Sequence, residues 1–278
     1  MTERELLDLP QAEWRMVSTA EHDGPTNMAI DGAIMVAVAE GRSPPTLRFY
    51  GWRPPCVSIG YGQSMRGVID LEACVERGYD WVRRPTGGRA VLHIDELTYS
   101  VTAPRDEPRV RGDVVSSYRR LSRGLVAGLR YLGADVHQAE GEEVEGAGSA
   151  ACFDVPSHYE VTALGRKLVG SAQVRRRDVV LQHGALPLRG DVARLADVLA
   201  LSEEGREALR AKLRERAIAL DEAVGRLVSW EETMEALAVG FGQALKLVLV
   251  REDLAPHELA AATRLQAHYS SDQWLFSR

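Results

Sequence analysis

The sequence predicts an α+β fold, with a largely antiparallel sheet flanked by helices and a helical C-terminal part. Three observations support this class. Strand-like and helix-like segments follow one another without regular β-α alternation, short turn signals connect successive strands, and helical patterns dominate after Gly190. A regular alternation of strands and helices would instead have favoured a Rossmann-like parallel sheet.

The first half of the chain contains the clearest elements. Residues 27–40 read as a helix with a broad apolar face, and GRSPP ends it. Residues 46–52 and 56–61 are strand-like. Asp70 is a predicted N-cap of a short helix that Gly78 ends. Two strand pieces in 81–93 flank a Pro-Thr-Gly-Gly turn, and 96–104 alternates as a further strand.

The second half begins with a helix capped by Asp113 and ended by Gly133. An acidic, glycine-containing loop at 139–149 leads into Cys152. Residues 159–188 read as three strands with turns at 164–166 and 177–178, and helices follow at 191–217, 230–247 and 256–268.

Composition restricts the class of protein. The 278 residues are 45% hydrophobic and carry a formal net charge of −6, which argues against a nucleic-acid binder. The start is polar and acidic rather than a secretory signal, and no apolar stretch has the length of a membrane span. The three cysteines, Cys56, Cys74 and Cys152, lack metal-ligand spacing. We therefore expect a cytoplasmic protein with reduced thiols and no bound metal.

The segment RRPTGGRAVLH is the first candidate for chemistry. Two consecutive glycines let the backbone approach a ligand, and successive N–H groups in such a turn can stabilise an anion or an oxyanion. Arg83, Arg84 and Arg89 surround these glycines. The alternative is a β-hairpin turn with solvated arginines, and spacing alone does not decide between the two.

Two further segments, ACFDVPS and GRKLVGSAQ, carry a thiol and an amine. A reactive cysteine needs a nearby cation that favours the thiolate. Lys167 follows Cys152 by fifteen residues, and a hairpin return could bring the two together as a dyad. The alternatives are a buried structural thiol and a surface lysine on a strand.

Together, RRPTGGRAVLHIDELTYS, ACFDVPSHYEV and GRKLVGSAQVRRRDVVLQHG resemble the biotin/lipoate protein ligase superfamily. Within it, they are most similar to the cysteine-dependent octanoyltransferases of the LipM type. The resemblance covers residues 13–250 and implies a fold related to biotin protein ligase. It also implies that octanoate moves from acyl carrier protein to a lysine of a lipoyl-type domain, such as the glycine cleavage H protein, without ATP or metal.

The resemblance also implies roles for individual residues. Cys152 would carry the acyl group as a thioester, and Lys167 would lower the pKa of its thiol. Ile94 stands where relatives often have an acidic residue after the histidine. The implied substrate-binding residues are Arg83, Arg84, Gly87, Gly88, Arg89, His93, Gly170, Ser171 and Ala172.

Partners and boundaries complete the expectations. Carrier proteins and lipoyl domains are usually acidic, so the arginines at 83, 84, 89 and 175–177 are candidate docking charges; a solvated hairpin tip is the alternative for 175–177. We expect a monomer that binds neither nucleic acid nor membrane. The predicted division is an N-terminal extension at 1–26, a catalytic domain at 27–250 and a C-terminal helical tail at 251–278.

Three other activities remain open. An ATP-dependent lipoate–protein ligase would use the same fold without needing a cysteine. An octanoyl amidotransferase would differ only in taking its acyl group from another lipoyl domain. A non-catalytic lipoyl-domain binder would need neither Cys152 nor Lys167.

Overall fold

A computed structural model of the chain describes residues 9–138 and 161–278. Its strands are β1 (Ala12–His22), β2 (Thr46–Trp52), β3 (Cys56–Ile59), β4 (Asp80–Arg83), β5 (Val91–His93), β6 (Glu96–Pro104), β7 (Val136–Gln138), β8 (Val161–Ala163), β9 (Arg166–Arg176), β10 (Val179–Pro187) and β11 (Leu247–Arg251). Its helices are α1 (Gly24–Ala39), α2 (Leu71–Glu76), α3 (Val114–Tyr131), α4 (Glu203–Arg216), α5 (Leu220–Val224), α6 (Trp230–Leu245), α7 (Pro256–Tyr269) and α8 (Asp272–Leu275), with a 3₁₀ helix at Val192–Val198.

Two sheets organise these elements. The large sheet has the order β11-β1-β2-β6-β10-β9-β8-β7, and the small sheet has the order β4-β3-β5. Strand β1 pairs in parallel with both β11 and β2, whereas the remaining pairs of the large sheet are antiparallel. The predicted α+β class with a mostly antiparallel sheet is therefore confirmed.

The two faces of the large sheet differ in chemistry. One face packs its leucines, valines and aromatic side chains against α3 and α6 in the main hydrophobic core. The other face carries polar side chains such as Arg48 and Ser100, and it lies against α1 and the small sheet. Because strand side chains alternate between faces, this polar face is available to build a site under cover of other elements.

Turns and caps agree closely with the sequence. Asp70 and Asp113 each accept a backbone N–H from the first turn of the helix that follows. The two predicted hairpin turns after β8 and β9 have positive φ at both central residues, Leu164-Gly165 and Arg177-Asp178. This backbone matches the right-handed twist of the strands that it joins.

The structure differs from the sequence reading at three places. The edge strand β11 and its neighbour β1 were not predicted, and the helical stretch 191–217 is divided into a 3₁₀ helix and α4. Strands β4 and β5 both pair with β3 and not with each other, so the hairpin alternative for the Pro-Thr-Gly-Gly turn is wrong. Alternating patterns identify strands but not their partners.

The first described strand and the C-terminal helix α7 pack onto the central body. Strand β1 lies within the large sheet, and Arg15 on it forms a buried ion pair with Glu258 on α7, with Nη1 2.8 Å from Oε2. Gln266 of α7 donates to Thr26 of α1 at 2.8 Å. The division into extension, catalytic domain and tail stays a prediction, although both of these contacts join the extension to the tail and β1 of the extension pairs with β2 of the catalytic domain.

Candidate active site

A pocket opens between the polar face of the large sheet and the small sheet. It encloses about 430 Å³ of space, counted out to its mouth. Met28 of α1 contributes to its wall. The other lining residues are Tyr50, Trp52, Ser58, Arg84, Gly88, Val91, His93, Thr98, Gly170, Ser171, Ala172, His183, Gly184 and Ala185.

The glycine loop after β4 forms one side of this pocket. Gly88 has φ +93°, which a residue with a side chain rarely adopts, so glycine is required there. A Cβ at Gly60 would collide with the carbonyl oxygen of Gly88, so a second glycine lets the loop after β3 approach. Gly87 is exposed and does not line the pocket.

Arg84 holds the glycine loop in shape from inside. Its guanidinium is buried and donates to the carbonyl oxygens of Gly87 and Arg89, each at 2.8 Å, and to that of Ser58 at 3.0 Å. Arg84 lines the pocket, so it also presents charge to a ligand. Arg89, half-buried, does not line it.

Arg83 has a different position from Arg84. Its side chain is buried away from the pocket and donates to the carbonyl oxygens of Tyr61 at 3.0 Å, Gln63 at 2.6 Å and Leu275 at 2.7 Å. It therefore ties the loop after β3 to the C-terminal segment. A substrate-binding role for Arg83 stays a prediction; these hydrogen bonds are all to backbone carbonyl oxygens.

His93 closes the pocket at the end of β5. Its Nε2 lies 2.8 Å from Ser58 Oγ, and its Nδ1 lies 3.5 Å from Glu96 Oε2. Arg84 donates to the same Ser58 Oγ at 3.1 Å, which leaves the hydroxyl hydrogen free to point at Nε2. The Trp52 ring stacks on the imidazole with centroids 4.0 Å apart. His93 is thus oriented on three sides.

A second histidine, His183 on β10, was not singled out in the sequence. Its Nε2 lies 2.6 Å from Thr86 Oγ1 and its Nδ1 lies 3.5 Å from Asp31 Oδ2. Burial lowers the pKa of His183 below its ordinary value of 6.5, against the opposing effect of Asp31. The imidazole is therefore neutral at pH 7.

Asp31 anchors the polar face. Its carboxylate accepts from Arg48 at 2.7 Å, Tyr50 at 2.9 Å and Ser100 at 2.9 Å. Burial acts to raise its pKa, but Arg48 and His183 outweigh that effect and hold the pKa at about 2. An ionisable residue in the middle of an otherwise apolar helix was the sequence signal that could have identified Asp31.

Lys167 lies at the start of β9 and is 5% exposed. The pairing of β8 with β9 shifts by one residue here, so that Thr162 faces Lys167 while its neighbour Val161 faces Val169. This bulge places Lys167 on the opposite face from Val169, which belongs to the main core. Lys167 therefore lies on the same face of β9 as Gly170 and Ala172, although Lys167 does not itself line the pocket.

Small residues on β9 and β10 leave the pocket open. Gly170, Ser171 and Ala172 all line it, opposite Ala185, Gly184 and His183 respectively. A Cβ at Gly184 would lie 2.6 Å from the Tyr99 ring, so only glycine fits there. Ser171 Oγ lies 2.8 Å from the Tyr99 hydroxyl.

The three cysteines differ in what is known of their surroundings. Burial raises the pKa of Cys56 well above its ordinary value and that of Cys74 to about 11, so both are thiols at pH 7. Cys152 lies outside the described residues. Within the described ranges, no group of three or more His, Cys, Asp and Glu side chains is arranged to hold a metal ion. No described helix has the length and apolar character needed to cross a membrane.

Comparisons with known proteins agree on one family. A sequence profile of the lipoyl protein ligase A/B catalytic domain matches residues 23–242. The chain is 47% identical to the octanoyltransferase LipM of Kyrpidia tusciae, with 95% of this chain and 99% of that protein covered. It is 38% identical to the octanoyltransferase LipM of Bacillus subtilis, with coverages of 95% and 98%.

Solved structures with the same fold are lipoate ligases. The bipartite lipoate protein ligase of Thermoplasma acidophilum, studied with its E2 lipoyl domain, superposes with a TM-score of 0.80 at 28% identity over 95% of this chain and 96% of that one. A lipoate-protein ligase A bound with ATP gives a TM-score of 0.79 at 27% identity, with coverages of 95% and 99%. Sequence and fold thus point to two related activities.

Proposed function

This chain belongs to the lipoyl protein ligase A/B catalytic family and, within it, to the octanoyltransferases of lipoate biosynthesis, and we propose that it transfers octanoate through a thioester on Cys152. The donor is octanoyl-acyl carrier protein, and the acceptor is a lysine of a lipoyl-type domain such as the glycine cleavage H protein. The enzyme works in the cytoplasm as a monomer, without ATP or metal. The observation that carries this proposal is the position of Lys167 on the pocket face.

The reaction has two acyl transfers. The Cys152 thiolate attacks the carbonyl carbon of the donor thioester, a C–S bond forms, and the carrier thiol leaves. The neutral acceptor amine then attacks the acyl-enzyme, a C–N bond forms, the Cys152 thiolate leaves, and the amine loses a proton. The first step exchanges one thioester for another and is nearly neutral in free energy. The second step converts the thioester into a more stable amide, so it drives the overall reaction.

Lys167 supports the first step electrostatically. Its ammonium lies on the face that Gly170 and Ala172 share with the pocket, where it would favour a thiolate over a thiol. Cys152 precedes Val161 by nine residues, and nine extended residues reach about 30 Å. Val161 pairs with Val169 on the adjacent strand, about 5 Å away, so chain length allows the thiol to reach the pocket.

Backbone N–H groups would stabilise the two oxyanions. Beyond Val169, no described strand pairs with β9 on the side away from β10, and alternate residues of an antiparallel strand direct their N–H groups to that side. Gly170, Ser171 and Ala172 lie in this stretch. The backbone of the glycine loop at Gly88 borders the same pocket. Donors fixed in a sheet need no reorganisation during the reaction.

The pocket would hold the acyl tail. Its walls include Met28, Tyr50, Trp52, Val91 and Ala185. Burial of the seven methylene and methyl carbons of an octanoyl tail, at about 0.8 kcal/mol each, offers about 5–6 kcal/mol of binding. A tail bound this strongly would place the thioester carbonyl reproducibly beside the strand β9.

Two comparisons support particular parts of the proposal. The relatives at 38–47% identity are named octanoyltransferases, which favours the transferase over the ATP-dependent ligase. The T. acidophilum ligase was studied with its E2 lipoyl domain, which supports a lipoyl domain as the acceptor. The amidotransferase alternative shares both features and differs only in its donor.

The donor experiment separates these activities. The protein is incubated with a lipoyl-domain acceptor and either octanoyl-carrier protein without ATP, or octanoate with ATP, or an octanoylated lipoyl domain. We expect a gain of one octanoyl group on the acceptor only from the carrier thioester, and no gain with Cys152→Ser. Transfer that requires ATP and survives Cys152→Ser would establish the ligase, and transfer from the lipoyl domain alone would establish the amidotransferase.

A further inference from the structure

Three exposed arginines form a group beside the glycine loop. Arg176 and Arg278 lie over the Tyr61 ring, 4.9 Å and 5.2 Å from its centroid, and Arg66 lies 5.4 Å from the centroid of Phe276. Ser64 connects the two halves by donating to the Arg278 carbonyl oxygen at 3.2 Å. We call Arg66, Arg176 and Arg278, with Tyr61 and Phe276, the arginine rim.

The charges of the rim are not neutralised within the described part of the chain. None of its three arginines forms an ion pair with a described carboxylate, whereas Arg189, Arg206, Arg210 and Arg214 on the helical side each do. The positive charge of the rim also acts on the Tyr61 hydroxyl, because the hydrogen bond and the charge of Arg278 lower its pKa. The rim is thus a basic and aromatic surface on a chain whose net charge is −6.

Three of the other candidate docking arginines, Arg83, Arg84 and Arg175, are used inside the fold. Arg83 and Arg84 donate to backbone carbonyl oxygens from buried positions. Arg175 donates to the carbonyl oxygens of Val110 and Asp113, each at 3.0 Å, and to Ser117 Oγ at 2.7 Å. Those bonds hold the start of α3 against β9. They leave Arg176 and Arg177 as the exposed arginines of this hairpin, and Arg176 is the one that lies over the Tyr61 ring.

The rim is continuous with the mouth of the pocket. Tyr61 N–H donates to the Thr86 carbonyl oxygen at 2.8 Å, and the adjoining Gly60 lies against Gly88. Arg176 and Ala172 are four residues apart on β9, so their side chains leave the same face of the strand. At about 3.3 Å per residue, the separation is about 13 Å.

We propose that the arginine rim docks the acidic carrier domain that delivers the acyl thioester. This inference rests on the proposed function, and the length of the ligand's arm decides between the two protein substrates. A phosphopantetheine arm has about fourteen bonds and reaches about 17 Å, whereas a lysine side chain reaches about 6 Å. A domain centred on the rim, about 13 Å from the pocket, can therefore deliver a thioester on such an arm, whereas a domain that delivers a lysine amine has to be centred at the mouth of the pocket.

The expected contribution is to encounter and orientation. Complementary charge raises the association rate and weakens as salt is added, whereas the chemistry at Cys152 does not depend on the rim. The aromatic rings hold the guanidinium groups at the surface, which reduces the entropy lost when a partner binds. With a donor that lacks the acidic domain, a change in the rim should not alter the kinetics of acyl transfer.

The test compares two donors on two variants with the same change in charge. Arg176→Glu alters the rim. Arg251→Glu, on the edge strand β11, alters the exposed ion pair that Arg251 forms with Glu235 of α6. At low salt, we expect Arg176→Glu to raise KM for octanoyl-carrier protein roughly tenfold with kcat nearly unchanged, and to leave octanoyl-pantetheine kinetics unaltered. Arg251→Glu should leave both donors unaltered, and added salt should reduce the difference.

Each other outcome has a defined meaning. Equal KM values for the carrier donor in the two variants would overturn the docking role, and so would a rise confined to KM for the lipoyl-domain acceptor. If Arg176→Glu does not fold, as judged by circular dichroism, Arg278→Ala provides the same comparison at a surface position. Failure of the unaltered enzyme to transfer octanoate from either donor would count against the transferase itself.

Discussion

Thr86 Oγ1 lies 2.6 Å from His183 Nε2, and this hydrogen bond joins the glycine loop to the large sheet. Because His183 Nδ1 faces the ionised Asp31, the neutral imidazole carries its proton on Nδ1 and accepts the Thr86 hydroxyl proton at Nε2. The loop that borders the pocket is thus held through His183 to a carboxylate on α1.

We expect Thr86→Val to raise the activation free energy of acyl transfer by more than it lowers the free energy of unfolding. The valine keeps the shape of the side chain but cannot donate, so the buried Nε2 loses its partner at a cost of about 1–3 kcal/mol and the loop is less well fixed. Thr86→Ser should restore most of the rate, because it keeps the hydroxyl. Equal rates for the valine and serine variants would show that the bond does not position the loop.

His183 also predicts a pH dependence of stability. Burial lowers its pKa in the folded chain below the ordinary 6.5, so below about pH 6.5 the unfolded chain binds a proton that the folded chain resists. The free energy of unfolding should therefore fall as pH falls below this value, by at most about 1.4 kcal/mol per pH unit.

Urea unfolding between pH 5 and pH 8 measures this slope. His183→Gln should flatten it, whereas His137→Gln at an exposed position should not change it. An unaltered slope in His183→Gln would assign the pH dependence to other groups.

The buried pair Asp31–Arg48 should be much more sensitive to substitution than a partly exposed ion pair. Both side chains are fully buried, so Asp31→Asn leaves the Arg48 guanidinium without its counter-charge and should destabilise the protein by about 3–5 kcal/mol. Asp197→Asn breaks the partly exposed pair with Arg210 and should cost under about 1 kcal/mol. Similar shifts in the urea midpoint for the two variants would contradict this ranking.

Lys167 should control the ionisation of the nucleophile. Lys167→Met removes the ammonium and should raise the pKa of the Cys152 thiol, which shifts the pH profile of alkylation by iodoacetamide to higher pH. Lys167→Arg keeps the charge and should shift the profile less. Cys56 and Cys74 are buried and should react slowly in every variant. Superimposable profiles for the unaltered protein and Lys167→Met would remove Lys167 from the dyad.

Ala172 should limit the length or bulk of the bound acyl group. Its side chain leaves β9 on the pocket face opposite His183, so Ala172→Leu adds about three methylene volumes to the lining. We expect the ratio of kcat/KM for hexanoyl over octanoyl thioesters to rise severalfold. The exposed Val248→Leu provides a control, and an unaltered ratio in Ala172→Leu would place the tail elsewhere.

Local elements and the general position of the site could be predicted from the sequence. Caps at Asp70 and Asp113 and the two hairpin turns follow from side-chain and backbone preferences, which act within a few residues. The glycine loop, His93 and 170–172 were singled out from motifs, and the pocket brings Arg84, Gly88, His93 and these small residues together.

The remaining features depend on contacts distant in sequence. The bulge that places Lys167 on the face of β9 opposite Val169 arises from pairing with β8, and no pattern within β9 shows it. The different positions of Arg83 and Arg84 follow from which carbonyl oxygens the C-terminal segment and the glycine loop bring near them. Strands β1 and β11 pair across more than two hundred residues, and their short apolar runs did not identify them.

The most direct test of the account is the site of acylation. The protein is incubated with octanoyl-carrier protein in the absence of acceptor, quenched in acid, digested and analysed by mass spectrometry. We predict one octanoyl group on the peptide that contains Cys152, released by neutral hydroxylamine and absent from Cys152→Ser. Turnover of the complete reaction by Cys152→Ser at the rate of the unaltered enzyme, with no acyl group on any cysteine, would contradict it.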